Sequence, residues 1–381
     1  MKKTALALLA SAFVANSASA VELFNLDSTG TKAEFIGSAR VKWTSTSTKD
    51  TYQNGSAVRN HVNKPVQNNG SRFGFRLTQQ LGNGFYALGR VEWRLRGADE
   101  RGVSNSQHDF DHIYTRQLYA GVGHKQYGEV TYGNQTVITD EVKQTDIPNT
   151  LSLSDGLLVS GARRSVQYVY KGIEGLKVGA YYGGHNKRSN ENVDLLKVDL
   201  NQDRKDVWGF GSIYNHKFDD VQSVQVATGF SRERFEGIGS APAYNRNAYS
   251  VGAAYTYDKT TFGVDLERRK TENQSVQGNE RTQKEVRTLV YHRLTDDWRA
   301  YGMYAYKTNK LERAIGRNNN ERKHQFMVGT EYYLPKVVDQ LKTKLFVEWQ
   351  ATRTKHPERK VGDGVSKSRD YTTVVGFRAY W

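Results

Sequence analysis

The chain of 381 residues contains no cysteine, only three methionines and five prolines, and no long apolar run past its first fifteen residues. Without cysteine there are no disulfides, no thiol nucleophile and no cysteine-ligated metal. A small exported fold usually needs such staples, whereas a large closed sheet does not. The missing apolar run excludes a helical membrane protein, because a spanning helix needs about 18 consecutive apolar residues. Also absent are a H-E-x-x-H zinc motif and a G-x-S-x-G nucleophile elbow. Asp109-Phe110-Asp111 falls short of a calcium loop, and His108 and His112 are four apart where no helix is expected. No cofactor is expected. An outer-membrane protease or phospholipase is the enzyme alternative, and no motif supports it.

What is present begins with an export leader. Lys2 and Lys3 precede a short apolar run from Thr4 to Ala15, and Ala18-Ser19-Ala20 is an A-x-A cleavage site. Residues 1–20 are therefore expected to be removed, leaving a single domain of 361 residues, 21–381, with no linker. Loss of Lys2 and Lys3 lowers the formal charge from +15 to +13. The charges are spread along the chain and not gathered into a basic run, which argues against a nucleic-acid partner.

Mean hydropathy is −0.72, a value typical of soluble proteins. Yet period-two alternation runs throughout. Phe35, Gly37, Ala39, Val41 and Trp43 share one parity, opposed by Glu34, Ser38, Arg40 and Lys42. Phe85, Ala87, Gly89, Val91 and Trp93 oppose Arg90, Glu92, Arg94 and Arg96. Tyr249 to Tyr257 and Trp298 to Tyr306 repeat the pattern. The last strand carries Tyr371, Thr373, Val375, Phe377, Ala379 and Trp381 on one face. A soluble sandwich also alternates, but a chain this long usually splits into domains and no boundary is visible. A leader followed by alternating, aromatic-tipped strands points instead to an all-β transmembrane antiparallel barrel. There only every second residue meets lipid, which explains the polar average. The 23 tyrosines suit its interfaces.

Polar stretches at 47–69, 97–110, 134–161, 185–203, 236–246, 272–282, 309–321 and 355–368 read as eight long extracellular loops. Seven short turns, among them Gly82-Asn83-Gly84, Asp258-Lys259 and Asp296-Asp297, read as periplasmic. Together they predict sixteen strands. Counting by twos sends Arg72, Arg76 and Arg116 to the lumen, and Arg163 joins Ser165 and Gln167 there.

At Ser71-Arg72-Phe73-Gly74-Phe75-Arg76, Leu81-Gly82-Asn83-Gly84, Val91-Glu92-Trp93, Leu118 to Val122, Tyr127 to Gly133, Val328 to Lys336 and Val375 to Trp381, the chain resembles the trimeric general porins of Gram-negative outer membranes. The resemblance implies a homotrimeric passive channel for small hydrophilic solutes and ions, set among outer-membrane lipid and lipopolysaccharide. It also implies a third loop, here 134–161, folded into the barrel. Arg72, Arg116 and Arg163, with Arg76 beside them, match the wall arginines of the family's constriction. Asp146 matches its main acid, and Asp140 is a second candidate. The family's further acid falls near Thr150, so Asp155 is the available substitute. Ser38, Arg40, Arg90 and Glu92 complete the expected lumen wall. Ser38 stands where the family often has Lys, and Asn134 where it often has Arg.

Phe377 and Trp381 correspond to the signal read by barrel-assembly machinery, although the family usually ends in Phe and carries an aromatic or His at the position of Ala379. Close packing between protomers is expected at Gly37, Ala39, Ala87 and Gly89, with loop 97–110 as a latch. The excess of basic residues predicts weak anion preference. A substrate-selective channel and an adhesin or host-ligand binder are the alternatives of other classes.

Overall fold

The computed structural model describes residues 20–26, 28–95, 113–153, 156–186, 202–273, 276–316, 318–335, 340–357 and 364–381. The leader, loop 97–110, most of loop 185–203 and Asp155 lie outside them. The strands are β1 Val21–Leu26, β2 Thr31–Tyr52, β3 Ala57–Asn68, β4 Arg72–Gly82, β5 Phe85–Leu95, β6 Ile113–His124, β7 Gly128–Thr136, β8 Gly161–Ile173 and β9 Leu176–Gly183. There follow β10 Arg204–Lys217, β11 Gln222–Phe235, β12 Tyr244–Tyr257, β13 Thr260–Glu272, β14 Glu280–Arg293, β15 Trp298–Glu312, β16 Asn319–Tyr333, β17 Lys342–Lys355 and β18 Val365–Tyr380. One short helix, α1 Ile138–Glu141, interrupts the series.

Each strand pairs antiparallel with its neighbour in sequence except β3 with β4, and β18 returns to β2, so the sheet closes on itself. The barrel has the expected sixteen staves. Strands β3 and β4 are two parts of one stave, interrupted at Asn69–Ser71, and both pair with β2. Strand β1 is not a separate stave. It continues the line of β18 along the same edge of β2, since Tyr380 pairs with Ser38 and Val21 with Phe35. Trp381 exchanges two backbone hydrogen bonds with Gly37 between them. Closure leaves no free edge through the band where the strands pair on both sides.

The alternation sorts as the sequence predicts. Phe75, Leu118, Tyr132, Phe210, Tyr249, Phe262, Trp298, Phe326, Leu345 and Tyr371 are exposed on the outside. Inside are buried polar and charged groups, among them Glu92, Gln117, Asp265, Glu267, Arg287, Glu331 and Glu348. The turn at Gly82-Asn83-Gly84 has φ of 89°, 50° and 83°, the left-handed values a tight hairpin needs. Trp381 lays its indole over Gly37 and stacks on Phe35, with 6.1 Å between ring centres. Gly37 thus leaves room for the chain's own last residue.

One expectation fails. Stretch 47–69 is not a long loop: β2 runs to Tyr52 and β3 begins at Ala57, with a tight turn between. This hairpin rises beyond the start of β4, and most of β3 is exposed. There both faces are wet, so its polar residues form a ladder without an apolar face, which periodicity cannot detect. Loops 236–246, 272–282, 309–321 and 355–368 shorten at one or both ends for the same reason.

Strand β4 approaches β5 closely at Gly74, where a β-carbon would collide with the Val91 carbonyl oxygen and stand 2.9 Å from Glu92 Cα. At Gly302 a β-carbon would meet nothing nearer than 3.6 Å. Gly74→Ala is therefore expected to destabilise the barrel by about 1–3 kcal/mol, and Gly302→Ala by less than about 0.5 kcal/mol. The temperature at which the folded band disappears on an unheated gel measures both.

Candidate pore constriction

The segment between β7 and β8 occupies the interior. It enters through α1, whose Ile138, with Val137 and Val142, packs against Ala162, Tyr181, Val207, Ile213 and Ala227 on the inner wall. Its far part buries Leu153 among Leu289, Tyr301, Met303 and Met327. Strands β14 to β16 are therefore apolar on both faces where the loop lies. That double apolarity is the sequence signal of a covered inner wall, and simple alternation passes over it.

Carboxylates of the wall hold the loop's backbone. Asp265 accepts hydrogen bonds from the Gln144 amide (2.9 and 3.1 Å), the Thr145 amide (2.9 Å) and the Thr145 hydroxyl (2.6 Å). Glu348 accepts from three successive amides, Asn149 (2.8 Å), Thr150 (2.8 Å) and Leu151 (2.7 Å), and from the Tyr301 hydroxyl (2.9 Å). Glu267 takes the Leu157 amide. Arg287, fully buried, faces Asp265 at 3.3 Å, Glu267 at 2.8 Å and Glu285 at 3.1 Å. Asn149 donates to Glu331 (2.9 Å), which also holds Lys344 at 2.7 Å. Arg378 donates to the Asn149 carbonyl, and Asn69 reaches Thr150 at 2.8 Å. The loop thus spans the interior from β8 to β18.

The wall formed by β2, β4, β5 and β6 carries the opposite charge. Glu92, 3 % exposed, is ringed by Arg90 (2.9 Å), Arg94 (3.1 Å), Arg72 (3.7 Å) and the Gln117 amide (3.1 Å). Arg40 adjoins this group, bonded to Ser38 at 2.8 Å and to Ser71 through its backbone N–H at 2.9 Å. Arg94, read in sequence only as a polar wall residue, belongs to the same cluster as Arg72.

Arg116 reaches the inner face through a bulge: Glu92 pairs with Gln117 and Trp93 with Thr115, leaving Arg116 unpaired between them. Its guanidinium borders Gly161, where a β-carbon would stand 3.3 Å away. Asp140 lies within electrostatic reach of it. The bulge keeps Arg116 on the expected inner side even though Leu118, two residues on, is exposed outside.

The other two expected arginines sit differently. Arg76 is bound to Glu34 at 2.6 Å, in a chain that continues through Lys32 to Glu22 (3.0 and 3.4 Å). It lies four residues nearer the short-turn end than Arg72, directly opposite Arg90 across the strands, and its ion pair is with Glu34. At Arg163 a second bulge sets Arg163 and Arg164 against Asn134, with Arg164 at φ 50°. Ala162 belongs to the buried inner-wall cluster that includes Ile138. The parity that assigned Arg163 to the lumen therefore stops at the bulge.

On the loop, Asp140 and Asp146 flank Lys143 at 3.0 and 3.6 Å, and Ser152 donates to Asp146 at 3.2 Å. Burial opposes the Lys143 charge, but the two acids outweigh it and hold its pKa above the ordinary lysine value. Glu141 is taken by Lys177. Among the described residues no group of three or more His, Asp or Glu is placed to hold a metal.

Residues 4–312 match the family model described as Gram-negative porin. This chain belongs to the Gram-negative porin family. It is 28 % identical over 295 residues to a major outer membrane protein of Pasteurella multocida, covering 74 % of this chain and 76 % of that one. To the corresponding protein of strain Pm70 it is 27 % identical over the full length of both. By structure, a loop L8 deletion mutant of OmpT, an outer membrane protein of Vibrio cholerae, matches with TM-score 0.64 at 16 % identity, covering 92 % of this chain and 99 % of that one. OmpF of Salmonella typhi, solved with daunomycin, gives 0.62 at 16 % identity over 94 % and 100 %. An anion-selective porin from Comamonas acidovorans gives 0.60 at 15 % identity over 92 % and 100 %.

The protein is therefore an outer-membrane porin, a multi-pass β-barrel that works as a diffusion channel. In this porin the carboxylate of Glu348 fixes the middle of the inward loop. Glu348→Ala removes the acceptor of three amides at once, and an unpaired buried donor costs about 1–3 kcal/mol. Hydrogen exchange at Asn149, Thr150 and Leu151 is expected to quicken by about 10- to 100-fold, while β10 to β13 keep their protection.

Proposed function

We propose that solutes pass between the arginine wall and the acid-bearing loop, and that this gap favours small anions. The observation that carries the reading is the imbalance of fixed charge. Arg40, Arg72, Arg90, Arg94 and Arg116 share one carboxylate, Glu92, while Lys143 offsets half of the charge of Asp140 and Asp146. Guanidinium groups stay charged at any physiological pH. Across a narrow aqueous gap they and the loop acids set a transverse field that orients polar solutes. Arg76 belongs to the periplasmic approach in this reading, and Asp140 outranks Asp146 as the acid facing the wall. The likeness to an anion-selective porin agrees with the sign.

The channel is passive and carries out no catalysis. The barrel assembles as a homotrimer, as OmpT of Vibrio cholerae does in its trimer form. Residues 1–20 are removed on export, which agrees with Val21 being the first residue of β1. The terminal strand, with Phe377 and Trp381 facing outward, serves as the assembly signal.

Planar-bilayer recording of the refolded protein tests the constriction. Under a tenfold KCl gradient the reversal potential should have the sign of anion preference. Arg72→Gln or Arg116→Gln should lower the anion-to-cation permeability ratio by roughly two- to fivefold, since one charge near 10 Å in water contributes about 0.4 kcal/mol and more where water is restricted. Asp140→Asn should raise it. Clear cation preference in the unaltered protein would sink the proposal, and saturable block by one solute would mark a dedicated site instead.

A further inference from the structure

The wall on which the inward loop lies carries cations that the constriction does not use. Lys344 and Arg378 are direct cross-strand partners on β17 and β18, and Arg293 and Arg299 on β14 and β15. All four stand within three residues of the short-turn end of their strands. They face inward. Arg293 continues the parity of Leu289 and Tyr291, which belong to the inner cluster, and the Arg299 guanidinium lies 4.0 Å from the Tyr333 ring centre. The middle of the loop rests just above them, with Asn149 bonded to Glu331 (2.9 Å), to the Tyr301 hydroxyl (2.8 Å) and to Arg378. Lys344 and Arg378 are buried, whereas Arg293 and Arg299 are half-buried and keep access to the lumen.

Two features set this group apart from charges that merely keep the wall polar. Like charges directly opposite one another across strands are destabilising, yet two such pairs adjoin here. Tyrosines stand between them. Tyr333 takes Arg299 over its ring and Lys344 at 5.2 Å, and Tyr380 takes Lys344 at 5.7 Å and Arg40 at 5.5 Å. Acids are also scarce. Glu331 takes Lys344 at 2.7 Å, and among the described residues Arg293 and Arg299 make no ion pair. Toward the extracellular loops the same inner wall is compensated, with Glu285 facing Lys307 at 2.7 Å and Glu321 facing His356 at 3.4 Å. Uncompensated charge is thus gathered at one end.

We propose that Arg293 and Arg299 form a second determinant of charge selection, a cationic station on the periplasmic side of the loop that makes anion preference depend on the side from which ions arrive. This deepens the function proposed above and rests on the barrel being an anion-favouring channel. Between the arginine wall and the loop acids a solute meets opposite charges on its two sides. Past the loop it meets guanidinium groups on the loop's own wall, so the potential there is positive. Fixed charge in a lumen enriches counter-ions, and salt limits its reach to about 10 Å at 0.1 M and about 30 Å at 0.01 M. A station near one mouth therefore acts most strongly when the dilute solution bathes that mouth. The tyrosine faces hold the cations apart, which suits a field and not a chelating site, so no saturable block is expected.

The test is planar-bilayer recording of the refolded protein under a KCl gradient from about 0.1 M to about 0.01 M, applied in each direction in turn. Ser56→Cys, in the turn between β2 and β3 of a chain without other cysteine, takes a biotin–streptavidin label from one side only and so shows which way the barrel has inserted. The anion-to-cation permeability ratio should be about twofold higher with the dilute bath at the periplasmic end. Arg293→Gln with Arg299→Gln should abolish that difference, and an unchanged single-channel conductance in about 1 M KCl, where fixed charge is screened, shows that the variant has folded. Arg293→Lys with Arg299→Lys should keep the difference. Arg72→Gln should lower the ratio in both directions and leave the difference between them. An Arg72→Gln channel with an unchanged ratio and intact sidedness counts against the arginine wall and for this station, so the two readings fail separately. Equal ratios in the two directions for the unaltered protein, the reverse order, or a difference that survives the double Gln change overturns the proposal.

Discussion

Everything about the channel's shape depends on a few buried carboxylates that take the place of water for an irregular stretch of backbone. A loop inside a barrel has the amide groups of a surface loop without unlimited solvent to satisfy them. Asp265, Glu267 and Glu348 supply acceptors at three points along it, and each is almost fully buried. Buried carboxylates would themselves be costly, and Arg287 and the Tyr301 hydroxyl offset that cost where the loop covers them. The loop and the wall acids therefore need each other. Remove the loop, and a row of acids faces water; remove the acids, and the loop has no fixed path.

This division of labour explains why the two walls differ. Strands β13 to β18 carry the carboxylates, because they face backbone N–H groups. On strands β2 to β6 Arg72, Arg90 and Arg94 collect around Glu92, and Arg76 pairs with Glu34. The transverse charge separation proposed for the pore follows from how the loop is held. Lys143, enclosed by Asp140 and Asp146, moderates the acidic side, which in the proposed function leaves the balance with the arginines.

The barrel was almost wholly legible in the sequence, because lipid on one side and polar groups on the other impose a strict period of two. Turn chemistry at Gly82 to Gly84 and at Asp258 set the register of individual hairpins. Legibility ended where that contrast vanishes. The hairpin from Thr44 to Lys64 is wet on both faces, and β14 to β16 are apolar on both where the loop packs. The site was half legible. Arg72, Arg90 and Glu92 lie on an unbroken ladder and could be placed by counting. Arg163 could not, because a bulge at Gly133–Gln135 shifts the count by one, and Arg116 reaches its expected side only through the bulge at Glu92–Trp93. A bulge leaves no mark in composition, yet it reverses the side a residue faces.

The same bulges bear on where the proposed constriction lies. Both occur beside the entry of the loop, one on β6 and one at the start of β8, and they re-aim side chains within a few residues of Gly161. A regular ladder would give Arg116 to lipid, where a lone guanidinium is costly. The bulge instead brings that charge inside, next to the point where the chain leaves the wall. Local irregularity and inward folding are therefore one feature: the sheet breaks its register at the place where a strand must release its successor into the lumen, and the freed arginine faces the Asp140 that the loop carries in.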